Sequence, residues 1–198
     1  ILGYAQLGKL NLNNPGKVNR HLNQILKGSK RAGDLIRQIL TFSRQYEYEK
    51  MPLKTAIIVK EVLKLIRATI PAFIEMEEYI ESEMYVFADP SQMHQVVMNL
   101  CTNAYQAITG TQGRLTVRLS DKMLGAGQKS AMGDIVPGKY QCLEVVDTGI
   151  GMDDRILEKI FNPYFTTKKL DKGTGLGLAM VHGIVEELNG FMKVDSTV

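Results

Sequence analysis

Asn99-Leu100-Cys101-Thr102-Asn103 and, further along, Gly173-Thr174-Gly175-Leu176-Gly177-Leu178 decide how this chain is read. The two asparagines stand four apart on a helix predicted over 90–109, which puts them on one face about one turn apart. Val96, Val97, Leu100 and Ala104 supply the apolar positions around them. Mg²⁺ takes hard oxygen ligands and binds through one or two protein oxygens plus substrate phosphates. An amide oxygen fits that role without adding negative charge beside a triphosphate. Two solvated or capping asparagines are the alternative for the pair alone. The glycine run opens a second predicted helix over 175–189, begun by Leu178-Ala179-Met180-Val181. Free N–H groups at a helix start, with glycines that allow close approach, make an anion site. It is not the Walker pattern, because no Gly-Lys-Ser/Thr occurs, nor the Rossmann spacing, because Leu178 stands where the third glycine belongs. A flexible linker is the alternative for these glycines alone.

Between these stretches lie Asp147-Thr148-Gly149-Ile150-Gly151 and Phe161-Asn162-Pro163-Tyr164-Phe165. Asp147 ends the apolar run Leu143-Glu144-Val145-Val146, a predicted strand, where a carboxylate can accept from the exocyclic amine of adenine. Gly149 and Gly151 leave room for the backbone to turn tightly and approach a flat ring. A plain Asp-Thr-Gly turn is the alternative. Residues 148–174 form a connection longer than most structureless ones, which predicts a lid. Phe161, Tyr164 and Phe165 are its expected apolar anchors, with a small helix at 153–160 inside it. Lys168, Lys169 and Lys172 could neutralise phosphates, although a solvated basic loop accounts equally well for Lys169 and Lys172. In this order the four stretches describe a nucleotide pocket.

The 198 residues, 44% hydrophobic and 23% charged, are those of an ordinary globular protein with room for one full domain and a smaller element. A net charge of +3 argues for neither nucleic acid nor an anionic membrane surface. Cys101 and Cys142 lack metal or redox-motif spacing, which points to a reducing cytosol, and no apolar run reaches membrane-spanning length. Leu22, Ile25, Ser29, Ala32, Ile36, Ile39 and Ser43 recur at three- and four-residue steps, a bundle seam on a helix over 18–46. Asn13-Asn14-Pro15-Gly16 breaks the chain before it, so residues 1–12 read as the last turns of an antiparallel partner. A hairpin with one long apolar stripe cannot bury itself, and dimerisation into a four-helix bundle resolves the exposure. Beyond Met51-Pro52 the pattern mixes a helix near 56–69 with strands near 73–80, 84–88, 114–120, 140–146 and 191–195. Gly125 to Gly138 reads as an exposed connection. The opening residues lack an initiator Met and read as mid-helix, and another strand is expected after Val198, so the chain is expected to be a piece of something longer.

Taken together, the four stretches resemble the N, G1, F and G2 boxes of sensor histidine kinases, within the superfamily shared with gyrase, Hsp90 and MutL. Ile39-Leu40-Thr41-Phe42-Ser43-Arg44 is similar to the end of that family's second hairpin helix. The resemblance implies an α+β fold: a two-layer α/β sandwich of the Bergerat ATP-binding type over 51–198, with a partial dimerisation and phosphotransfer hairpin over 1–48. It implies that Asn103 ligates Mg²⁺ with Asn99 assisting, that Asp147 binds adenine, and that Gly151 faces the base. Gly175, Leu176, Gly177 and Leu178 would meet the triphosphate of ATP through their backbones, with Gly173, Thr174, Gly149 and Phe165 around them and Lys168 reaching the phosphates.

The family's acceptor histidine, in a His-Asp/Glu-x-x-Asn run, would lie about nine residues before Ile1. His21, His94 and His182 have no carboxylate directly after them and read as surface or packing residues. Related ATPases carry a Glu four residues before the metal-binding Asn; here that position is Asn99, which has no useful basicity toward water. The implied function is therefore a kinase core, homodimeric through 1–48 and serving a response regulator receiver domain. It would be cytoplasmic, meeting a membrane only through parts outside this chain. A dimeric ATP-sensing module or degenerate kinase is the alternative, and an Hsp90- or MutL-type ATPase a weaker one.

Overall fold

The computed structural model describes residues 2–26, 28–29, 49–110, 112–125, 129–130, 133–168 and 173–198. Packing divides the chain into two units, Ile1–Tyr48 and Glu49–Val198. In the first, helix α1 (Leu2–Leu10) turns through residues 11–14 into a second helix, α2, described over 15–26. Asn14 Oδ1 accepts from the Lys17 N–H at 3.1 Å, the side-chain cap that an Asn-Pro start provides. Leu2, Leu10, Leu12, Leu22 and Leu26 are all more than half exposed. The remainder of the proposed seam, from Ala32 to Ser43, lies outside the described residues.

The second unit is α+β. Strand β1 (Met51–Leu53) pairs antiparallel with β3 (Val86–Ala88). Between them run helix α3 (Thr55–Arg67) and strand β2 (Ile74–Ile80). Helix α4 (Pro90–Ala107) follows, then the long strands β4 (Gly113–Leu124) and β7 (Gly138–Asp147). The main sheet has the order β2-β4-β7, parallel in its first pair and antiparallel in its second, with Leu115 opposite Asp147. The stretch expected as a plain connection contains a short antiparallel pair, β5 (Lys129–Ser130) with β6 (Gly133–Asp134).

Side-chain period decides the layers. On α3, Ala56, Val59, Val62, Leu63 and Ile66 recur on one face and are buried. On β4, Leu115, Val117 and Leu119 alternate inward and meet Val97, Cys101 and Ala104 of α4 in one core. Full burial of side chains of this size contributes roughly 1.5–3 kcal/mol each. The sheet's other face is polar: Arg114 pairs with Glu75 and Glu77, and Arg118 with Glu144. Burial pushes the Cys101 thiol up to about 12.

α4 starts on Asp89, whose Oδ1 accepts from Ser91 N–H at 2.8 Å and Gln92 N–H at 3.0 Å, with Pro90 in the first turn. Its other apolar face, through Val96, packs on Val181 and Ile184 of helix α6 (Gly177–Glu187). The far end of α6 is fastened by Glu187, which meets Lys50 Nζ at 3.0 Å and accepts from Gln92 Nε2 at 3.2 Å. The Lys50 and Gln92 hydrogen bonds hold that carboxyl below its ordinary range.

The strand expected at 191–195 does not form: residues 191–198 join no ladder. They meet the β7 side through the Phe191 ring, 5.9 Å from Tyr140, and through Ser196 Oγ, which accepts from Met152 N–H at 2.9 Å. No helix among the described residues is long and apolar enough to cross a membrane.

Candidate nucleotide site

Asn99 and Asn103 lie on the face of α4 turned toward the start of α6. A side-chain carbon added at Gly177 would stand 3.4 Å from Asn99 Oδ1 and 3.6 Å from Asn103 Nδ2. The amide pair and the glycine run are therefore in contact, as their joint reading requires. Leu176 caps α6 without a side-chain hydrogen bond, so the first-turn N–H groups of α6 are not covered by their own cap. Asn99 Nδ2 is buried and has no hydrogen-bond partner among the described residues.

Ala107, one turn beyond Asn103, brings in the Asp147 turn. A carbon added at Gly149 would fall 2.6 Å from both Ala107 Cβ and Asp147 Oδ1, and Ile150 N–H donates to Ala107 O at 3.2 Å. Asp147 sits at the exposed end of β7, and its Oδ1 accepts from Gly149 N–H at 2.8 Å. The turn is held from below by Thr148, whose Oγ1 accepts from Arg114 N–H at 2.9 Å. Gly151, expected to face the base, has a further neighbour in the last residues of the described chain. Its φ is +69°, and the position of a side chain there is filled by the Thr197 carbonyl. The glycine admits a crossing backbone.

In the lid, helix α5 covers only Asp154–Leu157 and starts on Asp153, whose Oδ1 accepts from Ile156 N–H at 2.9 Å. Phe161 does anchor it, its ring 4.9 Å from that of His182 on α6. Phe165 is half-buried, but Tyr164 is 71% exposed and anchors through its backbone. Its N–H donates to Gly175 O at 2.9 Å, from a left-handed φ of 68°. Gly175 itself has φ +70° and lies against the Tyr164 and Phe165 carbonyls. Gly173 sits beside Thr166 Oγ1 and the Lys168 side chain, and Thr174 and Leu178 are half-buried next to it in the run. Lys169 and Lys172 lie outside the described residues.

Lys168 reaches α4. Its Nζ donates to Gln106 Oε1 at 2.7 Å and lies 3.4 Å from Asn103 Oδ1, and burial pushes the ammonium below its ordinary pKa. Gln106 and Ala107 are the two site residues that sequence reasoning missed. The signal for Gln106 was present: it follows Asn99 by seven and Asn103 by three, on the same helix face. Of the histidines, His182 packs on Phe161 and lies 4.0 Å from Glu186, and His21 packs on Tyr4. Among the described residues no cluster of three or more His, Cys, Asp or Glu could hold a metal.

An uncapped glycine-rich helix start, an amide face and an acidic turn, mounted on one face of an α/β sandwich, define a nucleotide-binding domain. Residues 88–198 match the family described as histidine kinase-, DNA gyrase B-, and HSP90-like ATPase. The sensor kinase CckA of Brucella abortus is 36% identical over 175 residues, 88% of this chain and 18% of that protein. The signal transduction histidine-protein kinase AtoS of Escherichia coli is 29% identical over 99% of this chain and 30% of its own length. Among solved structures, the catalytic domain of histidine kinase ThkA superposes with a TM-score of 0.55 at 28% identity, covering 70% of this chain and 81% of that one. The chain belongs to the histidine kinase-, gyrase B- and HSP90-like ATPase family. It spans less than a third of the length of these two curated relatives.

Proposed function

We propose that residues 49–198 are the ATP-binding core of a protein-histidine kinase, which passes the γ-phosphoryl group of ATP to a histidine outside this chain and thence to a response regulator receiver domain. One observation carries the reading: a single face of α4 touches the glycine start of α6 at Asn99 and Asn103 and the Asp147 turn at Ala107. Those ends are eight residues apart, about 12 Å at ~1.5 Å per residue, a span suited to a base at one end and phosphates at the other. The relatives' descriptions as sensor kinases support the reaction class.

In this reading Asp147 accepts from the adenine amine, and the Gly175 to Leu178 backbone with the α6 start receives the phosphates. Lys168 adds a positive charge, and Phe165 holds the lid loop beside the glycine run. Asn103 and Asn99 would hold Mg²⁺. Asn103 Oδ1 fits the ion, since it already faces an ammonium, while the unpartnered Asn99 Nδ2 is a donor suited to a phosphate oxygen and leaves Asn99 to meet the ion through Oδ1. When bound, the ion neutralises charge on the phosphates. Asn99 offers no base to activate water, so the site keeps ATP for transfer.

The chain is expected not to label its own histidines with γ-labelled ATP, yet to place acid-labile phosphate on a supplied hairpin carrying a His-Asp/Glu-x-x-Asn run. Steady phosphate release with no label on that hairpin would instead indicate an ATPase.

The first unit is proposed to form a homodimeric bundle through residues 1–48, in the cytoplasm, with any membrane contact made by other segments. Its support is the exposed leucine set, with Leu22 and Leu26 one turn apart on α2. Leu22→Asp with Leu26→Asp puts charges into that interface, each costing several kcal/mol when buried unpaired. Light scattering is expected to show a dimer for the unmodified chain and a monomer for the double variant, with ATP binding retained. An unmodified monomer at micromolar concentration would refute the bundle.

A further inference from the structure

The lid lysine is already engaged, and its partners are oxygens of α4. Lys168 Nζ lies 2.7 Å from Gln106 Oε1 and 3.4 Å from Asn103 Oδ1, in a half-buried place. Lys168 N–H also donates to Thr166 Oγ1 at 3.1 Å, and Gly173 leaves room for the side chain to lie down beside it. Asn103 Oδ1 is the atom that the proposed function gives to a divalent cation. An ammonium and a metal ion compete for one amide oxygen, because each needs its lone pairs and both are positive. Gln106 Oε1 is the shorter contact, a charge-assisted bond to an exposed side chain with no other partner in the described site.

We propose that Gln106 is a docking residue for the lid, holding the Lys168 ammonium on Asn103 as a stand-in for the metal until a metal–nucleotide complex displaces it. The inference rests on the nucleotide reading above and adds a regulated step to it. Loading becomes an exchange of one cation for another. Lys168, released from α4, is then available to the phosphates that displaced it. Gln106 acts through Lys168 and is a positioning residue. Its removal has two separate consequences: a lid that opens more often when no ligand is present, and a site that costs less to load.

Both are measurable on the full chain. Amide hydrogen exchange without nucleotide or metal reads the docking, at the lid amides of residues 161–168. Gln106→Leu and Lys168→Met are each expected to speed their exchange about tenfold, the worth of one charge-assisted bond, while β4 and α3 are unchanged. Lys168→Arg, which can still donate to both oxygens, is expected to retain protection. Calorimetry with Mg²⁺ and ATP reads the exchange. Gln106→Leu, which keeps Lys168 and Asn103, is expected to tighten binding about three- to tenfold by removing the competitor's dock. Unchanged lid exchange in Gln106→Leu would overturn the proposal. Faster exchange with weaker or unaltered ATP binding would also overturn it, because Gln106 would then serve the nucleotide directly. A chain that binds no ATP at all would fail the functional reading, and the ligand-free exchange result would still decide the docking.

Discussion

Gly175→Ala is expected to weaken ATP binding by about a hundredfold or more while leaving the fold's core intact, a loss of roughly 2.7 kcal/mol or greater. Gly175 has φ +70°, where an L side chain costs about 1–2 kcal/mol before any contact is counted. The added Cβ would also lie 2.4 Å from the Tyr164 carbonyl carbon and 2.7 Å from Phe165 O. These are backbone atoms, held by the hydrogen bond from Tyr164 N–H to Gly175 O, and cannot yield as a flexible side chain would. Relief therefore separates the lid from the glycine run and spoils the start of α6. The buried cluster of α3, α4 and β4 shares no residue with this contact. Calorimetric titration with ATP, beside a thermal melt, checks both halves; wild-type affinity in a well-folded variant would show that the run is a spacer.

Asp147→Asn is expected to reduce ATP affinity ten- to a hundredfold, the equivalent of about 1.5–3 kcal/mol for a lost charge-assisted hydrogen bond. Asp147 Oδ1 is taken by Gly149 N–H, so the carboxylate's second oxygen is the acceptor offered to an adenine amine. An asparagine that keeps the Gly149 bond through its oxygen must turn an NH₂ donor toward that amine. The fold has little stake in the change, since Asp147 is exposed at the end of β7. Competition by GTP separates the two possible causes. Equal losses for ATP and GTP would mean that the substitution acts through the turn and not through the base.

The elements with strong side-chain periods were legible. The five buried apolar positions of α3, the Asp-Pro start of α4 and the inward alternation of β4 each impose one secondary structure locally. The amide pair on one helix face and the glycine-rich helix start were each legible, because both are local signals; that they meet at Gly177 is a tertiary fact that only the structure gives. What was not legible depends on distant partners. Gly151 accommodates Thr197, and no spacing rule connects those positions. Tyr164 looked like an apolar anchor by composition, yet its left-handed backbone turns the ring outward and leaves the anchoring to its N–H. The segment 191–198 has strand-like residues and meets β7, an edge strand of its sheet, yet joins no ladder; register against that edge is not encoded in composition. Gln106 shares the helix spacing of the two asparagines, but its partner, Lys168, lies on a loop that spacing does not place.

Whether the face of α4 from Asn99 to Ala107 is an adenine nucleotide site is decided by titration of the unmodified chain with ATP and with GTP in the presence of Mg²⁺. Saturable binding of one ATP per protomer is expected, with GTP at least about tenfold weaker because its six-position carbonyl cannot donate to Asp147. Absence of ATP binding by the folded chain, or equal affinity for the two nucleotides, would contradict it.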